Sequence, residues 1–76
     1  MTPKLPNITG TKLLRVLKKA GFEEVRQKGS HLHMKREIDK KRVTIPIHKG
    51  KSIPTGTLHS ILTDADISVK KLYELL

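Results

Sequence analysis

The chain has 76 residues, and its sixteen Lys and Arg against seven Asp and Glu give a formal net charge of +9. This length allows one domain with a thin hydrophobic core. The absence of cysteine excludes a disulfide framework, a thiolate metal site and a cysteine nucleophile. No stretch approaches the roughly 18 apolar residues that span a bilayer, and we see no apolar signal region at the N-terminus. We therefore expect a cytoplasmic protein with a polyanionic partner.

Helical periodicity predicts a first helix from about Thr9 to Ala20. Leu13 and Leu17 lie on one apolar stripe of this helix, and its basic side chains mostly face away. Thr9 is a suitable N-cap, because its hydroxyl can accept a hydrogen bond from a backbone N–H of the first turn. Gly21 suits the left-handed residue that commonly follows a helix.

Three strands are predicted next, at about residues 25–27, 31–37 and 42–48, and tight turns separate them. In the second strand Leu32 and Met34 alternate with His31, His33 and Lys35, so that one face is apolar and the other basic. The third strand repeats this alternation. It also contains Pro46, which cannot donate a ladder hydrogen bond and favours an edge position.

A second amphipathic helix is predicted from about Pro54 or Thr55 to Asp64, and its apolar stripe should cover the sheet. Ser68 then caps a short last helix that extends to Leu76. The order of helix, three strands and helix, followed by a terminal helix, predicts an α+β sandwich of two layers. We treat residues 1–76 as a single domain.

An ordered set of motifs gives the chain a family resemblance over roughly residues 9 to 68. The motifs are Gly10-Thr11, Ala20-Gly21-Phe22, Gln27-Lys28-Gly29-Ser30-His31, Val43-Thr44-Ile45-Pro46 with His48, and Pro54-Thr55-Gly56-Thr57-Leu58 with Ser60-Ile61-Leu62. This set resembles the HicA toxin family. The segments 1–8 and 68–76 depart from shorter family members, as an N-terminal extension and an added C-terminal helix.

The resemblance implies a fold, an activity and a partner. The fold is like that of a double-stranded-RNA-binding domain, an α-β-β-β-α two-layer sandwich, here with an extra short C-terminal helix. The activity is that of an mRNA interferase, an endoribonuclease that cleaves messenger RNA without a metal or another cofactor. The partner is a HicB antitoxin that holds the toxin inactive.

The resemblance also places the catalytic histidine on His31 and the turn glycine that positions it on Gly29, with Ser30 between them. An exposed imidazole with a pKa near its ordinary value of about 6.5 can give or take a proton at neutral pH. His33 lies two residues further on the same strand face, roughly 6.6 Å away at about 3.3 Å per residue. It could be a second proton carrier or a plain solvated histidine.

Seven basic residues are candidate contacts for RNA phosphates: Lys12, Arg15, Lys19, Lys28, Lys35, Lys49 and Lys51. Those of the first helix are equally compatible with a solvated helix face. Lys28 and Lys35, or turn amides around Gly29 and Ser30, could stabilise the charge that develops on the reacting phosphate.

Three alternatives remain open from the sequence. The first is a non-catalytic module that binds double-stranded RNA, although Pro54-Thr55-Gly56-Thr57 stands where such modules usually carry a lysine cluster. The second is a structural basic protein in which His31 is incidental. The third is a zinc site formed by His31, His33 and His48, for which no adjacent carboxylate is available as a second-shell partner.

Overall fold

The computed structural model describes residues 4–76, so residues 1–3 of the N-terminal extension lie outside the described part of the chain. In chain order, the elements are α1 (Gly10–Lys19), β1 (Glu23–Lys28), β2 (His31–Arg36), β3 (Lys41–Pro46), α2 (Thr55–Asp64) and α3 (Val69–Leu75). The three strands form one antiparallel sheet in the order β1-β2-β3. The α+β arrangement resembling a double-stranded-RNA-binding domain is confirmed.

The ends of α1 follow from local sequence, as predicted. The backbone N–H of Lys12 donates to the Thr9 hydroxyl at 3.2 Å, which makes Thr9 the N-cap. At the other end Gly21 has a φ of 99°, and the N–H of Phe22 donates to the carbonyl of Leu17 at 2.9 Å. These are the features of a Schellman motif, in which the left-handed residue is most easily glycine.

The buried face of the sheet is built by direct cross-strand pairs. Leu32 lies opposite Ile45, and Met34 lies opposite Val43. All four side chains are buried beneath the helices. β3 is an edge strand, as Pro46 predicts. The core therefore lies between the helices and one face of the sheet, and the opposite face is left open.

β1 differs from its prediction, because it extends over Glu23–Lys28 and none of its residues is buried. The register with β2 shifts between Glu24 and Arg26, so that Val25 has no partner and is 58% exposed. Backbone pairing with β2 forms this strand without any apolar alternation, and such a strand has little periodicity to detect. A β-bulge of this kind also makes an edge less available to another strand.

Arg36, at the end of β2, connects both covering helices. Its guanidinium donates to the carbonyl of Ala20, the C-cap of α1, at 3.2 Å and to the carbonyl of Ala65, the C-cap of α2, at 3.0 Å. It also binds the Asp39 carboxylate at 2.8 Å and lies 4.7 Å from the centre of the Phe22 ring. Both helices therefore end beside the same residue.

The terminal helix α3 packs against the rest of the fold. Leu72 is fully buried, and Lys19 donates to the carbonyl of Leu75 at 3.0 Å. The Ser68 hydroxyl accepts from the N–H of Lys71, which confirms the predicted N-cap. Within residues 4–76, no helix is long and apolar enough to span a membrane.

A matched pair of glycine substitutions tests the packing of α1 on β3. A Cβ at buried Gly10 would collide with the carbonyl oxygen of Pro46 and lie 3.1 Å from Ile47 Cδ1, whereas a Cβ at Gly56 in α2 would meet no atom within 4 Å. We expect Gly10→Ala to lower the free energy of unfolding by about 1–3 kcal/mol. Gly56→Ala should raise it by up to about 1 kcal/mol. Urea unfolding measures both, and equal effects would contradict this packing.

A second prediction concerns acid stability. Hydrogen bonds from Arg36 hold the pKa of Asp39 below its ordinary value of 3.8. A carboxyl whose pKa is lowered by folding stabilises the protein fully above its unfolded pKa, and this contribution is lost as the pH falls through the folded pKa. We therefore expect Asp39→Asn to lower the free energy of unfolding at neutral pH. Below pH 3.8, the free energy of unfolding of this variant should fall less steeply than that of the parent.

Urea unfolding at a series of pH values measures this effect. Part of the acid decline should remain in the variant, because hydrogen bonds from Lys40 and Lys35 also lower the pKa of Glu37. Asp64→Asn is the control, since this carboxylate makes no ion pair among residues 4–76. An unchanged acid decline in Asp39→Asn would show that the contact with Arg36 does not contribute.

Candidate functional site

The open face of the sheet carries three cross-strand rows of side chains. Residues that pair directly across antiparallel strands place their side chains on the same face. The rows are Lys28, His31 and Pro46; Arg26, His33 and Thr44; and Glu23, Lys35 and Arg42. Two lysines, two histidines and two arginines thus come from three strands, and these rows contain one carboxylate, that of Glu23.

The turn before β2 positions His31. Gly29 has a φ of 59°, a backbone conformation that favours glycine. Steric crowding is not the reason for glycine here, because a Cβ at this position would meet no atom within 4 Å. Gln27 donates from its side-chain amide to the carbonyl of Gly29 at 3.1 Å. Ser30 accepts from the N–H of Ile47 at 2.6 Å. His31 follows as the first residue of β2, with an exposed side chain.

His33 occupies a different environment on the same face. Its ring is half-buried, and Nδ1 lies 3.0 Å from the hydroxyl oxygen of Thr44, its partner on β3. The hydrogen bond fixes the ring orientation and engages one of its two nitrogens. His33 is therefore more ordered than a plain solvated histidine.

Two adjoining depressions extend from the open face toward α2. The larger, of about 690 Å³, lies between the sheet and the polar side of α2, and its polar lining residues are Arg26, Lys28, His33, Arg42, Thr44, Thr57, Ser60 and Asp64. The smaller, of about 340 Å³, is lined by His31, Thr44, Pro46, His48, Lys51, Ser52, Ile53, Pro54 and Thr57. Because Thr44 and Thr57 line both, we call the two together the groove.

The end of the groove nearest His31 favours anions. The N-cap of α2 is Pro54, whose side chain accepts no hydrogen bond from the first turn. Backbone N–H groups at a helix N-terminus carry partial positive charge and bind anions. Lys51 lines the same depression as Pro54 and His31, so a side-chain cation and a helix terminus lie together.

The structure brings only some of the predicted basic residues to the groove. Lys28 and Lys51 line it. Lys35 lies on the open face, with Nζ 3.2 Å from a carboxylate oxygen of Glu37. Lys49 is exposed in the loop that follows His48.

The basic residues of α1 lie on the helical layer behind the sheet. Lys12 and Arg15 are exposed there, and Lys19 is hydrogen-bonded to Leu75. None of the three lines the groove. A phosphate contact at these positions stays a prediction.

Sequence reasoning missed Arg26 and Arg42. Arg26 lies in a strand without apolar alternation, and Arg42 is a polar position at the start of the alternating third strand, with no motif to single it out. The signal that could have found them is strand register, which places Arg26 opposite His33 and Arg42 opposite Lys35. Together with Lys28 they make the sheet side of the groove strongly basic.

The described part of the chain does not support the zinc alternative. Among residues 4–76, no three His, Cys, Asp or Glu side chains come together as a group that could hold a metal ion. His31 and His48 line one depression and His33 lines the other.

Comparison with known families decides the assignment. Residues 10–67 match the family described as the HicA toxin of bacterial toxin–antitoxin systems. The chain belongs to the HicA toxin family. No match was found among curated proteins. The matched segment contains the whole sheet, α1, α2 and every residue of the groove, whereas α3 lies beyond it.

Family membership has two consequences. It indicates a toxin, and so favours this role over that of a structural basic protein. It also bears out the resemblance drawn from the Gly29-Ser30-His31 turn and its flanking motifs.

Proposed function

We propose that the protein is the ribonuclease of a type II toxin–antitoxin pair, an mRNA interferase that cleaves RNA with His31 and needs no metal ion. The observation that carries this proposal is the exposed imidazole of His31 at one end of a basic groove. A HicB-type antitoxin is the proposed partner, and the cytoplasm is the proposed location.

The chemistry requires few groups because RNA supplies its own nucleophile. The 2′-hydroxyl attacks the adjacent phosphorus, a proton leaves the hydroxyl, and the departing 5′-oxygen gains a proton. An imidazole can perform either transfer at neutral pH. Lys28 lies beside His31 in its cross-strand row, where an ammonium group can stabilise the charge on the phosphorane.

His33, a possible second proton carrier from the sequence, fits better as a residue that positions the RNA strand, because its Nδ1 is engaged by Thr44. It shares a strand face with His31, and Thr44 holds its ring in one orientation. Gly29 and Ser30 act indirectly, by holding the turn that presents His31.

RNA binding by charge fits the groove better than base stacking. Phe22 is buried, and the half-exposed Tyr73 donates its hydroxyl to the Lys4 carbonyl, away from the groove. Without an aromatic platform, a single strand is held mainly through its phosphates. We therefore expect weak sequence preference, with Lys28, Arg26, Arg42 and Lys51 as the principal phosphate contacts.

An acidic antitoxin surface would complement the same groove. A segment laid over the open face would cover His31 and the phosphate contacts together. This explains inhibition by occlusion, with no rearrangement of the toxin.

The first functional prediction concerns His31. Loss of an acid–base group typically costs about 10²- to 10⁴-fold in rate, so we expect His31→Gln to lower the cleavage of a purified RNA by that factor in the presence of EDTA. RNA affinity should change little. His59→Gln is the matched control, because His59 is exposed on α2 outside the groove.

The outcomes separate the alternatives. Cleavage by the parent but not by His31→Gln supports the proposal. If both proteins bind RNA and neither cleaves it, the chain is the non-catalytic double-stranded-RNA-binding module. If EDTA abolishes cleavage, the proposed metal independence is wrong.

The second functional prediction compares two basic surfaces. The paired variant Arg26→Gln/Arg42→Gln removes charge from the groove, and Lys12→Gln/Arg15→Gln removes equal charge from α1. For single-stranded RNA each lost phosphate contact reduces the slope of log affinity against log salt by about 0.7. We expect this slope to fall by about 1.4 in the groove variant and to change little in the α1 variant. The reverse result would place the RNA on α1.

A further inference from the structure

We propose that His48 is the second catalytic group, and that His31 and His48 form the acid–base pair for RNA cleavage. This inference rests on the proposed function. It assigns the second proton transfer to a residue outside β2, in the loop that follows β3.

Backbone pairing brings the two histidines to the same end of the sheet. The β2–β3 register places His31 opposite Pro46, and the ladder continues with the hydrogen bond from Ile47 N–H to the Ser30 carbonyl at 2.6 Å. Ser30 and Ile47 are the residues that immediately precede the two histidines. His48 is thus the diagonal neighbour of His31 on the open face, and such pairs lie about 7–8 Å apart, within reach of aromatic side chains.

The loop after His48 is held in place by its own turn. Lys51 donates its N–H to the His48 carbonyl at 3.0 Å, and Gly50 provides the positive φ of 74°. The loop continues into a bridge between Ser52 and Thr9, beside the start of α1. The position of His48 is therefore set by the backbone on both sides.

One depression contains both imidazoles. His31 and His48 line the same 340 Å³ space, with Pro46 and Thr44 from β3 and Thr57 from α2. In the part of the chain that the structure describes, Lys51 is the only other ionisable residue of this lining. A phosphodiester in this space would be close to both imidazoles and to the Lys51 cation.

His33 fits the second role less well. It lines the other depression, with Arg26 and Arg42, and not the one that contains His31. Its Nδ1 is hydrogen-bonded to Thr44. These contacts suit a residue that positions the RNA strand next to the reacting phosphate.

The proposed reaction balances with two imidazoles. One, neutral, removes the proton of the 2′-hydroxyl as the bond from O2′ to phosphorus forms. The other, protonated, gives its proton to the 5′-oxygen as the bond from phosphorus to O5′ breaks. The products are a 2′,3′-cyclic phosphate and a free 5′-hydroxyl, with one proton moved between the two histidines.

The test measures kcat/KM against pH for the parent, His48→Gln, His33→Gln and His31→Gln with a short single-stranded RNA. Two titrating groups give the parent a bell-shaped profile. His48→Gln should lose about 10²- to 10⁴-fold in rate and one limb of the profile. His33→Gln should keep both limbs and stay within about tenfold of the parent.

A substrate with sulfur in place of the 5′-oxygen distinguishes chemistry from structure. A thiolate leaves without protonation, since a thiol has a pKa of about 8.5. This substrate should restore the rate of whichever histidine variant lacks the acid. We expect the sulfur substrate to restore the cleavage rate of either His31→Gln or His48→Gln, but not of both.

Each failure has its own signature. If the parent does not cleave RNA, the proposed function itself is wrong. If the parent cleaves and only His31→Gln is inactive, with His48→Gln at full rate or with both limbs intact, the inference about His48 alone is wrong. Loss of the second limb in His33→Gln, or no restoration by the sulfur substrate, would also overturn it.

Discussion

Both helices that cover the sheet end at the guanidinium of Arg36. This group binds the C-cap carbonyls of α1 and α2, where the negative ends of the two helix dipoles meet. Arg36 ends β2, and His31 begins it. The positive N-terminal ends of both helices therefore lie at the His31 end of the molecule. Lysine is not equivalent here, because the Nε, Nη1 and Nη2 groups of the guanidinium all donate from one fixed plane, and an ammonium group lacks this geometry.

Strand alternation connects the core to the site. Along β2 the inward residues are Leu32, Met34 and Arg36, and the outward ones include His31 and His33. A shift of the strand register by one residue would expose the core residues and bury the imidazoles. The shifted register is therefore strongly unfavourable. The interactions that stabilise the fold thus also keep the histidines on the open face, where the hydrogen bond between His33 and Thr44 fixes one of the two rings.

Local patterns predicted most of the fold. The α1 caps at Thr9 and Gly21, the start of α3 at Ser68 and the inward residues of β2 and β3 follow from short-range rules. Other features depend on tertiary contacts that no local pattern contains. The full length of β1 and its bulge at Val25 arise from backbone pairing without burial. The Arg36 contacts join three distant segments, and the groove requires α2 to lie beside β3. For the same reason the sequence suggested His33 as the neighbour of His31, whereas the depression around His31 contains His48.

The distribution of acidic residues explains why the groove is so basic. Four of the seven carboxylates pair with cations elsewhere: Glu24 with Lys18, Glu37 with Lys35 and Lys40, Asp39 with Arg36, and Glu74 with Lys71. Among residues 4–76, Asp64 is the only carboxylate that lines the groove. Like charges held this close destabilise a small domain through mutual repulsion. Any ligand that neutralises them, whether RNA or an acidic antitoxin surface, therefore binds the folded state preferentially and stabilises it. The same unpaired charge would therefore favour both ligands, an RNA strand and an acidic protein surface.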